Sequence, residues 1–558
     1  MKTFAQFVWI LRSEAVIKII QLVAGAVLIS VVFWQLQFST DAICCGDFDG
    51  YYHIGWSRML WEALRNRAFP PAFTWLPLTT LNPKSYVDHH LLFHFFQIPF
   101  TWFGDLRLGA KLSATIFASV AVFSCYWLLA RYQIRFLLVW LVALLACSAP
   151  FLYRLNMAKA PPFAIIYLVI GIHLLFQKRF WPLLPLAAVF TATYDMFPAL
   201  LLACCIWVAV LGWVEHRFEW RPLVWVLAGI AAGLIINPYF PQNLHLLYEH
   251  LRMKVRTADY ATKVGQEWYP YDSWEFLGNS LVACIAMVTG YIAFNPGDRK
   301  RSAHSLFFMI FATVLMIMTA RWKRIAEYWP AFAVMFSAFA LQPWLKGGNA
   351  AVASLPADVL DELQPYLDRH EPLDRLKEAE RSELWKTIAA AVAAVLLGVA
   401  LFFNLRHTVK DIAASEPHDY YRAWAEWMRG NIPSGQRVFN TDWDDFPRLF
   451  YYDPSHSYIS GLDPNYLYDN NPSLSRLYER ITLGEQNDPG PLIRDRFGAR
   501  FIFSDNRHDK FFNVAMESGW FEIVYEDEDC IILHVRDEKG EPSSDEAEGG
   551  ATETTPTQ

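Results

Sequence analysis

The 558-residue chain is 54% hydrophobic and 16% aromatic but only 18% charged, where soluble chains run at about 25% charged. That balance excludes a disordered chain, a collagen-like chain and a disulfide-stapled miniprotein, and it points to a polytopic membrane protein with a soluble part. The net charge of −7 resides mostly in the last residues, where Asp537, Glu538, Glu541, Asp545, Glu546, Glu548 and Glu553 face only Lys539, and nothing in the pattern suggests nucleic-acid binding.

Lys2, Arg12 and Lys18 accompany a largely apolar run from Ile19 to Leu36 that lacks a clear small-residue cleavage site. This predicts an uncleaved membrane helix. Apolar runs follow at roughly 89–106, 110–130, 136–152, 161–177, 180–197, 198–214, 222–240, 276–294, 304–320, 326–344 and 385–405. They make about 12 candidates, each near the ~20 residues a spanning helix needs. Polar loops at 37–88, 241–275 and 345–384 interrupt them. Beyond 405 a helical start at 420–429 is followed by short β-prone runs at 437–439, 499–503 and 530–533, the pattern of a small α/β domain. The expected architecture is a polytopic α-helical membrane domain over 1–405, a small soluble α/β domain over 406–536 and a disordered acidic tail over 537–558. The eight cysteines lie mostly inside apolar runs, with Cys44 and Cys45 adjacent, which is no disulfide framework.

Lys and Arg placement sets a topology. Arg131 with Arg135, Lys178-Arg179 and Arg299-Lys300-Arg301 fall on the cytoplasmic side, so the 241–275 loop and the C-terminal domain face outside. Counting backward puts the 37–88 loop inside, whereas the basic N-terminus puts it outside. One further crossing within 89–136, making 13 helices, would restore the parity.

Candidate chemistry begins in the first loop. Asp47 and Asp49, with His53, stand at the start of an amphipathic helix. Two carboxylates and an imidazole within seven positions suit a hard divalent cation, or simply a helix start. Asp88, His89, His90 and His94 form a second cluster, readable as metal ligands or as interfacial histidines. Glu267 stands among aromatics in the outer loop, and Arg321, Lys323 and Arg324 precede Glu327. Cations on an outer face suit an anionic ligand such as a pyrophosphate, or pair with Glu327 on the helix surface. In the soluble domain, Asp442-Trp443-Asp444-Asp445 and Asp463 sit in turn-rich stretches that read a polar ligand or form Asx turns.

In order, these pieces resemble the catalytic subunits of oligosaccharyltransferases, within the GT-C class of membrane glycosyltransferases. Phe48-Asp49-Gly50-Tyr51-Tyr52-His53 is similar to that family's first-loop segment, and Trp75-Leu76-Pro77-Leu78 to its Tyr-Pro stretch. Gln266-Glu267-Trp268 with Pro270 and Trp274 resembles the catalytic Glu segment. Arg321 or Arg324 falls near the family's Arg, and Asp442-Trp443-Asp444-Asp445-Phe446 resembles a degraded acceptor-binding motif.

The resemblance implies transfer of a sugar from a polyprenyl-phosphate or diphosphate donor to an acceptor on the extracytoplasmic side. It implies Asp49, Asp47 and Glu267 as catalytic residues and Arg321, Arg324 and Lys323 on the donor phosphate. Trp443, Asp444 and Asp445 would hold the acceptor. A divalent metal, Mg or Mn, would be held by Asp49 and Glu267. The family's second acidic pair has no counterpart in 150–161, so Lys159 replaces a ligand there, or Asp88 or His89 supplies one. Asp442 precedes Trp443 where the family has a second Trp, which leaves the acceptor open among protein, lipid and glycan. The expected setting is an integral protein of a prokaryotic inner membrane. The rival readings are a transporter or flippase of lipid-linked glycans and a non-catalytic assembly protein. A transporter would show charges inside apolar helices, and only Lys111, Asp195 and His173 qualify.

Overall fold

The structure is a computed structural model that describes residues 14–45, 48–255, 266–297, 299–346 and 373–540. Asp47 and most of the acidic tail lie outside the described residues.

Among the described residues, five helices are long and apolar enough to cross a membrane: α1 (Glu14–Gln37), α4 (Leu106–Arg131), α9 (Pro198–Glu215), α14 (Arg299–Arg321) and α16 (Leu373–Ala413). Three shorter apolar helices pack among them: α7 (Pro161–Phe176), α8 (Leu183–Thr193) and α10 (Arg221–Ile236). Ile388, Val395 and Phe402 of α16 are exposed, and no residue of its apolar stretch is fully buried, although Leu397 and Leu401 on its other side pack against the helical core. A surface of this kind is stable against lipid and not against water.

Two expected spans are broken. α5 (Leu137–Ala146) ends at Cys147, and α6 (Ala149–Leu155) restarts at 82° to it. Ser148 caps the new helix, its Oγ accepting from the Phe151 N–H at 3.4 Å, and Pro150 fills a first-turn position where no N–H is needed. α12 (Ser273–Asn279) and α13 (Leu281–Ala293) meet at 86°. Asp272 caps α12 by accepting from the N–H groups of Trp274 and Glu275. The breaks face each other, with Ser148 Oγ and Ser280 Oγ 3.0 Å apart.

The first loop folds into α2 (Asp49–Arg65). It is amphipathic as expected, with Tyr52, Trp56 and Leu60 buried one turn apart and Arg58 paired with Glu62 on the outer face. The run at 89–106 is a correction to the expectation. It forms α3 (Leu91–Gln97) and one short 3₁₀ turn (Ile98–Trp102), of seven and five residues. At 1.5 Å per residue neither can cross ~30 Å of hydrocarbon. The described residues of 89–136 hold no further helix of spanning length besides α4, so the added crossing is not found there. The first loop shares a side with the 241–275 loop and the C-terminal domain, as its contacts require. Trp56, Phe73 and Tyr86 form one core with Tyr239 and with Trp424, Phe446 and Tyr458.

The C-terminal domain is a five-stranded sheet of order β2-β1-β3-β5-β4, built from β1 (Arg437–Asn440), β2 (Ser457–Tyr458), β3 (Phe501–Asp505), β4 (Phe521–Glu526) and β5 (Cys530–Val535). The three runs expected as strands are β1, β3 and β5. β1 is parallel to β2 and β3, and β5 runs antiparallel between β3 and β4. Arg448, buried in α17 (Phe446–Tyr452), pins the domain to the membrane part. It donates to the carbonyls of Glu416, Pro417 and Tyr420 and lies 4.3 Å and 4.6 Å over the rings of Phe48 and Tyr51.

Candidate active site

The helix breaks bring distant charges together. α6 points its last turn at the mouth of the helix bundle, which places Arg154 there. Arg154 bonds Glu267 at 2.7 Å through one guanidinium nitrogen and Glu327 at 3.0 Å through another. Glu267 lies on a 3₁₀ turn (Gln266–Trp268), and Arg324 on another (Lys323–Glu327). Arg324 takes the second oxygen of Glu267 at 2.5 Å and stands over Trp268. Burial raises the Glu267 pKa, but Arg324, Arg154 and Lys159 outweigh it and hold the carboxyl well below the usual range. Glu327 is fully buried, receives the Tyr328 hydroxyl at 2.6 Å, and lies 3.8 Å from Arg324. The expected surface pair of Arg324 and Glu327 is therefore a buried one, shared with Arg154.

Asp49 is the first residue of α2, and no side chain caps that helix at Phe48. The Asp49 carboxylate meets Lys159 at 2.8 Å. Gly50 makes this approach possible. A Cβ there would lie 2.7 Å from Ile43 and 3.1 Å from Ala158, the neighbour of Lys159.

The other expected phosphate ligands point elsewhere. Lys323 pairs with Glu275 at 2.8 Å, and Arg321 lies over Trp322. Asp88 is buried and accepts from Trp56 at 2.9 Å, from His94 at 2.8 Å and from the His90 backbone N–H at 3.0 Å. Burial raises its pKa, and the His94 and Trp56 contacts more than offset this, so it is held below the ordinary carboxylate value. His94 continues the chain to His53 at 2.8 Å.

The resemblance places a divalent metal on Asp49 and Glu267. Both Glu267 oxygens are taken by guanidinium groups, and Asp49 holds an ammonium. In this arrangement the pair does not fit a divalent cation, because three fixed side-chain cations already supply the positive charge.

The acceptor-side residues are divided. Asp444 and Asp445 line a cavity of about 480 Å³ together with Phe48, Tyr153, Asp442, Asp505 and His508; Trp443 is not among its lining residues. Asp445 accepts from the Tyr421 hydroxyl at 2.8 Å, and its other oxygen is buried without a hydrogen bond. Burial, then the nearby Asp442 and Asp505, pushes its pKa well above the usual range. Asp442 and Asp463 form Asx turns, accepting from the N–H groups of Asp444 and Asn465.

Arg154, Tyr194 and His250 escape a reading of the sequence. Tyr194 receives Arg324 at 3.1 Å, and His250 joins Asp195 to the Tyr466 hydroxyl at 3.1 Å and 3.0 Å. The one available signal for Arg154 is a cation in an acid-free stretch between apolar runs. Lys111 and Asp195 are accounted for without a transport path. Lys111 donates to the carbonyls of Thr40 and Ala42, fastening α4 to the first loop, and Asp195 sits at the mouth beside His250.

By sequence no family model matches the chain, and no curated protein matches it. By structure it is similar to the archaeal oligosaccharyltransferase AglB from Archaeoglobus fulgidus, solved with an inhibitory peptide and a dolichol-phosphate. The TM-score is 0.54 at 11% identity, over 91% of this chain and 73% of that one. It is also similar to ArnT from Cupriavidus metallidurans bound to undecaprenyl phosphate, with TM-score 0.52 and 12% identity over 93% and 99% of the two chains. The arabinofuranosyltransferase AftD from Mycobacteria gives 0.50 at 13% identity over 92% of this chain and 40% of that one. The chain therefore has the fold of the GT-C membrane glycosyltransferases.

Proposed function

We propose that the chain moves a sugar from a polyprenyl-phosphate or diphosphate donor to an acceptor at the extracytoplasmic face of a membrane. The observation that carries this reading is the Arg154–Glu267–Arg324 clamp, at the end of apolar helices and beside the Asp49–Lys159 pair. A lipid-anchored leaving group departs at the bilayer boundary and leaves negative charge on its phosphate. Arg324, Arg154 and Lys159 supply fixed cations for that charge in a site partly shielded from water. Asp49, oriented by Lys159, is the base that takes the acceptor proton. Glu267 holds the two arginines apart until donor phosphate competes for them. The carboxylate-rich cavity at Asp444 and Asp445 suits a hydroxyl-rich or cationic acceptor over an anionic one. Two of the similar structures were solved with a dolichol-phosphate or undecaprenyl phosphate bound, which supports a lipid-phosphate donor.

The test is sugar transfer in cells with the native pathway, comparing the intact protein with Asp49→Ala and Arg324→Ala at equal membrane levels. Mass spectrometry follows lipid-linked sugars and glycosylated products. The expected result is donor accumulation and product loss in both variants, with the missing product naming the acceptor. Unchanged pools in both would overturn the reading.

A further inference from the structure

A second group of ligating side chains includes neither Asp49 nor Glu267. His89 and His90 come from the segment before α3, and Asp195 from the turn between α8 and α9. One ligating atom from each falls within 4.8 Å of the others. Donors around a tetrahedral zinc at ~2.0–2.1 Å stand about 3.4 Å apart, so a small closure brings the three onto one ion, with water as the fourth ligand.

Three further observations point to a ligand there. His90 Nε2 is buried without a hydrogen-bond partner, while its ring stacks on Tyr194. Asp195 is oriented from behind by His250, which is held in turn by the Tyr466 hydroxyl; such outer partners fix the geometry of metal ligands. Asp88, the nearest other carboxylate in sequence, is fully engaged by Trp56, His94 and the His90 N–H, so it anchors the segment and leaves ligation to the imidazoles.

We propose that His89, His90 and Asp195 form a zinc-type divalent cation site that fastens the end of the first loop to the α8–α9 turn. Two imidazoles and one carboxylate select zinc over magnesium, which takes oxygen ligands and keeps its waters. Through His250 and Tyr466 the site also reaches the soluble domain. The ion acts as a clasp between three parts of the chain and takes no part in moving the sugar. The proposal goes beyond the transfer reading and stands or falls independently of it.

The experiment uses the full-length chain purified in detergent, stripped with a chelator, reloaded with zinc alone and desalted. Bound metal is counted by mass spectrometry, and cobalt replaces zinc for visible absorption. One equivalent is expected, with a tetrahedral cobalt spectrum and a raised melting temperature. His90→Ala and Asp195→Asn lose the metal and the cobalt band while keeping helical circular dichroism and monodisperse elution. His250→Ala binds zinc about 10–100-fold more weakly. Asp49→Asn and Glu267→Gln keep the full equivalent. Should either ligand variant fail to fold, His89→Gln is read in its place. The proposal is overturned if the intact chain binds no zinc, if zinc persists in the His89, His90 and Asp195 variants, or if it is lost only with Asp49 or Glu267.

Discussion

Arg154 serves two carboxylates from one guanidinium, and one of them, Glu327, is wholly buried. Removing one partner of a buried pair strands the other charge, at a cost of about 3–5 kcal/mol. Arg154→Ala should therefore lower the melting temperature of the detergent-purified protein, and Arg154→Lys, which reaches only one carboxylate, should lower it less. Asp445 makes the opposite point. Its pKa in the folded chain is raised by burial and by Asp442 and Asp505, against about 3.9 when unfolded. Above about pH 4 the folded state keeps a proton that the unfolded state releases, so this residue reduces stability as pH rises. Asp445→Asn should melt above the intact chain, with a gap that widens from pH 4.5 to 7.5; a gap that is constant or narrows contradicts the buried acid. Asp49, Glu267 and Arg324 were legible as candidates because each stands in a short marked segment. Arg154 was not, because its partner Glu267 is 113 positions away and only the fold joins them.

At the scale of elements, the apolar runs were legible as helices but their breaks were not. Composition is continuous through 136–152, yet the chain turns by 82° where Ser148 and Pro150 offer a new helix start. The same holds at 276–294, where Ser280 interrupts an apolar stretch. Such breaks are decided by packing and by the hydrogen bond between Ser148 and Ser280, neither of which hydropathy records. The strands of the soluble domain were easier, since β1, β3 and β5 are short runs of β-branched and aromatic residues. Element packing also sets the Asp49–Lys159 pair, because the start of α2 touches residue 158 at Gly50. Gly50→Ala should cost about 1–3 kcal/mol by overpacking and should reduce transfer as far as Lys159→Ala does. Melting temperature and product formation measured together check this, and a stable Gly50→Ala protein with full transfer would refute it.

For the whole molecule, the first loop and the soluble domain behave as one body, joined by a shared aromatic core and by Arg448. Arg448→Ala leaves three carbonyls short of a donor, and amide exchange should quicken across 416–421 and 446–452 while the sheet stays protected. Unchanged exchange there would show that the aromatic core alone holds the domain. α16 leads into this body as a helix of 41 residues, about 60 Å long. Its uninterrupted apolar part, between Lys386 and Asn404, is only 17 residues, or about 26 Å. That falls short of the ~30 Å of an average bilayer. Because one side of this stretch is exposed, the shortfall is met by the bilayer thinning around it or by polar flanks reaching outward. Membrane thickness thus sets the height at which the soluble domain meets the mouth, and the lipid composition around the protein becomes a determinant of its working geometry.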